Sequence, residues 1–148
     1  VYDGGTRPGA AVAVLLWAGE NGQLCRDSSV PRGYGVLMQK ISIDALARQQ
    51  LEAAVSGSSG RASDTVFGGH EKRLRQTVMA FRAGTQLSEH LNPGEATVFV
   101  IKGSVWLKSG GEAWQGKAGD LLIVPDGMHS LEAEEDSAVL FTAVKLDR

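Results

Sequence analysis

At 148 residues the chain is long enough for one domain with a buried core and short for two. Fifteen Lys and Arg against 17 Asp and Glu give a formal charge of −2, so there is no basic excess to neutralise nucleic acid or to hold an anionic membrane surface. The composition, 43% hydrophobic and 22% charged, is globular, and the longest apolar run, residues 10–18, falls far short of the roughly 20 residues that a membrane span needs.

Residues 1–37 are rich in glycine and have little periodicity around that apolar run. Arg7 ahead of the run gives it a faint look of a secretory leader, without the usual Met start and strong basic region. Met38 precedes the first well-patterned segment, and two readings stand. Either native translation starts at Met38 and the preceding residues are upstream of it, or residues 1–37 are an added arm on the domain. Cys25 lies in this stretch. As the single cysteine it excludes an internal disulfide framework and fits a reducing compartment, and a cytoplasmic location is expected.

From Ser42 the pattern is helical. Ser42 is the expected N-cap, Asp44 lies in the first turn, and Ile43, Leu46, Ala47, Gln50, Leu51 and Ala54 recur at three- and four-residue spacing up to Gly57. Residues 56–64 are small and polar and are expected to form a flexible connector, which makes the helix a satellite and divides the chain into 1–37, 38–65 and 66–148.

Beyond Val66 short β-rich runs alternate with Gly-containing turns: 74–81, 85–90, 97–102, 105–108, 113–115, 121–124, 129–133 and 138–146. With no helix among them, they predict an antiparallel jelly roll or barrel. Residues 97–101 and 121–124 hold almost nothing but apolar side chains, so both faces of those strands need cover, and a homodimer or the N-terminal segment is expected over the outer one. Trp106 and Trp114 flank the Ser109–Gly111 turn and are expected to face each other across it.

Two motifs stand out in this region. Gly84 is followed after five residues by His90-Leu91-Asn92, then Ala96, then Gly103; Gly119 is followed after five residues by Pro125-Asp126-Gly127, then His129 and Ala133. This pair resembles the two motifs of the cupin family, over roughly residues 66–148. The resemblance implies an all-β, cupin-like jelly-roll β-barrel, here with one N-terminal α-helix, whose cavity receives His90 and His129.

It also implies a divalent metal, one of Fe, Mn, Ni, Cu or Zn, held in most relatives by three His and one Glu. In this chain Asn92 replaces one His and Ala96 replaces the Glu, and the second motif is one residue short. Glu95 could complete a metal set with His90 and His129 only if Pro93-Gly94 shifts the strand register, because adjacent strand residues point to opposite faces. The ligand-contact candidates are His90, Asn92, His129 and Gln76. Two functions follow: a cupin that binds a small molecule without a full metal site, or a metal-dependent cupin enzyme of the dioxygenase, isomerase or decarboxylase type. His70 is expected to be a surface loop residue, and the acids of 132–136 a solvated turn.

Overall fold

A computed structural model describes residues 39–92 and 94–146, and the expectations for residues 1–37, Cys25 among them, lie outside those residues. Ser42 accepts a hydrogen bond from the Ala45 amide at 3.3 Å and starts α1 (Ile43–Ser56), which buries Leu46, Ala47, Leu51 and Ala54. After it come β1 (Arg61–Phe67), β2 (Leu74–Phe81), β3 (Gln86–Leu91), β4 (Gly94–Lys102), β5 (Ser104–Ser109), β6 (Glu112–Lys117), β7 (Leu121–Ile123), β8 (Met128–Ala133) and β9 (Ser137–Lys145). All strand pairs are antiparallel. They make a five-stranded sheet in the order β1-β2-β9-β4-β7 and a four-stranded sheet in the order β3-β8-β5-β6, the two layers of a jelly roll.

The inner faces of both sheets meet in one core. Phe81, Val98, Val100 and Val139 come from the five-stranded sheet, and Val105, Leu107 and Leu131 from the other. Alternation then sends Val78, Ala80, Ala138 and Leu140 to the outer face, where they form a second cluster with the apolar stripe of α1. The helix is therefore no satellite; it closes one half of the outer face. The expected flexible connector is also corrected, because Arg61–Phe67 pairs along β2 from Arg61↔Phe81 to Phe67↔Gln76. Its helix-facing residues, Ala62 and Val66, are small enough for α1 to lie close above them.

The other half of the outer face is uncovered among the described residues. Phe99, Leu121 and Ile123 are 39%, 56% and 68% exposed there. The tryptophans do not face each other: Trp106 opposes Gln115, and Trp114 opposes Leu107 on the other face of the hairpin. Nor is the acidic stretch merely solvated. Glu132 pairs with Lys108, Glu134 accepts from Ser104 Oγ at 2.8 Å and Gln115 Nε2 at 2.5 Å, and Asp136 accepts from the Ala83 amide at 2.8 Å. Gly103, at φ 83°, turns between β4 and β5 directly against Ser137, where a Cβ would come within 2.3 Å of Ser137 Oγ.

Candidate functional site

Asn92, the start of β4 and the turn before β8 are tied together. Asn92 donates from its side chain to the Pro125 carbonyl at 3.4 Å and from its backbone to the Gly127 carbonyl at 3.1 Å, while its Oδ1 accepts from the Gly94 amide at 3.2 Å. These bonds gather the ends of β3, β4 and β8 at one end of the barrel. They also engage both ends of the Asn92 amide, so the residue expected to contact a ligand staples the barrel end together.

His90 and His129 face each other at that end. They are direct cross-strand partners between β3 and β8, with ring centroids 4.3 Å apart and planes inclined by 59°. On β8 this follows from simple alternation, since His129, Leu131 and Ala133 are all buried. On β3 it does not. Leu87 and His90 are three residues apart, which on a regular strand puts them on opposite faces, and a bulge between them gives both an inward direction.

Each ring is oriented by its own turn. Nδ1 of His90 lies 2.8 Å from the Ser88 carbonyl and Nδ1 of His129 lies 3.3 Å from the Gly127 carbonyl. A carbonyl oxygen only accepts, so in each neutral ring Nδ1 carries the proton and Nε2 keeps its lone pair. His129 is only 3% exposed, and burial first, then the neighbouring His90, holds its pKa below the ordinary value against the opposing pull of the Gly127 carbonyl. The two rings line a small cavity with Met79, Leu87, Val98, Leu107, Leu131, Val139 and Phe141. Its volume is about 20 Å³, enough for one water-sized group.

Glu95 does not join them. β4 pairs regularly with β9 from Gly94↔Lys145 and Glu95↔Val144 to Val100↔Val139, so no register shift near Glu95 rescues it, and it is exposed on the outer face while Ala96 points inward. Gln76 is likewise displaced. It shares a face with Val78 and Ala80, away from the barrel interior, and donates to Thr142 Oγ1 at 3.3 Å. Its neighbour Arg75 holds the inward position, and Arg75 Nε is buried without a hydrogen-bond partner. Sequence reasoning missed Arg75, although counting by twos back from Phe81 would have found it. His70 is exposed in the turn before β2.

The family model described as a cupin domain matches residues 77–145, a span that contains both histidines and the strands that carry them. The chain carries a cupin domain. Solved structures agree on the fold. A conserved Streptococcus pyogenes protein of unknown function matches with a TM-score of 0.56 at 24% identity, over 62% of this chain and 80% of that one. A cupin superfamily protein from Desulfitobacterium hafniense matches with a TM-score of 0.54 at 16% identity, over 58% and 78%. A cupin 2 conserved barrel domain protein from Leptotrichia buccalis is 30% identical with a TM-score of 0.54, over 57% of this chain and 41% of its own length. No curated protein matches.

The usual metal of the cupin domain does not fit the donors of this one. Among the described residues no three His, Cys, Asp or Glu side chains come together, and the inward position that would supply a carboxylate is Ala96. Two imidazoles fall short of the three protein ligands that a catalytic metal ordinarily takes.

Proposed function

We propose that this cupin binds a small molecule at the histidine end of its barrel, with His90 and His129 as hydrogen-bonding partners and without a complete metal site. The observation that supports this most is the pair of rings, each fixed through Nδ1 and each keeping an Nε2 lone pair beside one shared, otherwise apolar cavity. The second reading, a metal-dependent cupin enzyme, draws on the same Nδ1–carbonyl bonds, which also orient metal-ligating histidines. The donor count favours the first.

The experiment combines elemental analysis of the purified full chain with a ligand-observed NMR screen of small polar molecules. The expected result is metal well below one per chain and hits that disappear in both His90→Ala and His129→Ala. Near-stoichiometric metal, lost in both variants, would overturn this reading in favour of the enzyme.

We further propose that a second copy of the chain covers Phe99, Leu121 and Ile123, since an apolar patch of this kind on a sheet ending in the short edge strand β7 favours an equally apolar surface. Sedimentation should show a dimer that Ile123→Lys converts to monomer; a wild-type monomer at micromolar concentration would contradict it.

A further inference from the structure

The orphaned nitrogen of Arg75 speaks to the chemical class of the ligand, an inference that rests on the barrel end being a ligand site. β2, β9 and β4 pair there without irregularity, so Arg75, Ala143 and Ala96 lie side by side in one row of the five-stranded sheet. Thr77, Phe141 and Val98 form the next row, and Phe141 and Val98 line the cavity of the two histidines. Residues two apart on a strand share a face, and Met79 and Phe81 pack in the inner core, so Arg75 is on the barrel side of β2.

The end is the right one. The Val124 amide donates to the Ala96 carbonyl at 3.0 Å, and Asn92 bonds to both Gly94 and Pro125, which brings the Arg75 row to the end of the barrel where β3 and β8 present His90 and His129. Packed sheets are separated by ~10 Å, and an arginine reaching from one and a histidine from the other span much of that gap. Ala143 and Ala96, the neighbours of Arg75 in the row, carry only methyl side chains. A buried guanidinium nitrogen without an acceptor calls for one, and a carboxylate is the small-molecule group whose geometry matches the guanidinium fork.

The histidines set the second requirement. With both Nδ1 protons held by carbonyls, the Nε2 atoms accept, so the facing ligand group must donate, and a hydroxyl is of the size that the cavity admits. We infer that the barrel end takes a small hydroxycarboxylic acid, its carboxylate on Arg75 and its hydroxyl donating to Nε2 of one of the two histidines, His90 or His129.

The test titrates the full chain with glycolate, L-lactate and D-gluconate and with their neutral counterparts ethylene glycol, glycerol and D-glucitol, while the Arg75 Nε–H and imidazole signals are followed by 1H–15N NMR. At least one acid should bind about tenfold or more tightly than its neutral counterpart and move the Arg75 and imidazole signals together. Arg75→Gln should erase the preference and Arg75→Lys should keep part of it; the wild-type preference is read without either variant. Neutral compounds that move the imidazole signals as well as the acids do, with Arg75→Gln changing nothing, would overturn the carboxylate assignment and leave the ligand site standing. Acids that move Arg75 alone, or no movement with any probe, would overturn both.

Discussion

At the residue scale, the proposed function rests on where two protons sit. Burial lowers the His129 pKa, so below the ordinary value of 6.5 an unfolded chain takes up a proton that the folded chain refuses. The contribution of this residue to stability is therefore complete above 6.5 and declines as pH falls through the lowered folded value. Urea unfolding from about pH 7 to about pH 5 should show a falling midpoint in the wild type and a shallower fall in His129→Gln. Equal slopes would contradict the burial of that ring. The residue scale also shows how a single step along a strand decides a role: Glu95 and Ala96, like Gln76 and Arg75, are neighbours with opposite directions, and in each pair it is the second-named that faces the barrel.

At the scale of elements, the site depends on a bulge and a close approach. Gly94 opens β4 so near to β9 that a Cβ would sit 2.1 Å from the Val144 carbonyl oxygen, so Gly94→Ala must push the strands apart. We expect a loss of about 1–3 kcal/mol in chemical denaturation and faster amide exchange at the start of β4; unchanged exchange there would show that the strands have room. The motif glycines, the helix with its Ser42 cap and most strand boundaries were legible in the sequence, because apolar alternation and turn residues write them locally. β2 runs over Leu74–Phe81 as the pattern indicated. β1 was not legible, since Arg61, Ser63, Asp64 and Thr65 dilute its alternation and its packing depends on small residues under a helix that is distant in kind though near in sequence. The bulge in β3 was hidden for a related reason: nothing local marks it, and only the partner strand reveals that Leu87 and His90 both turn inward. The two tryptophans were misjudged by symmetry about the turn, where the true register offsets them by one residue.

At the scale of the molecule, two apolar layers share one sheet. Its inner face makes the barrel core and its outer face the seat of α1, so the helix belongs to the folding unit that begins at Ser42. Leu46→Ala should cost about 2–5 kcal/mol while the transition stays cooperative, as for any buried leucine; a change within experimental error would mean that the helix docks without contributing. The uncovered half of the same outer face is the side proposed for association, and the histidine cavity is the end proposed for a ligand. The central claim is that this end presents two neutral imidazoles to a ligand and not to a metal centre, and a long-range 1H–15N spectrum of the histidines tests it most directly. The account predicts that His90 and His129 are both protonated on Nδ1 at neutral pH, with Nε2 signals that one equivalent of Fe2+ or Zn2+ leaves in place. Stoichiometric movement of both Nε2 signals on adding either metal, or a proton on Nε2 of either ring, would contradict it.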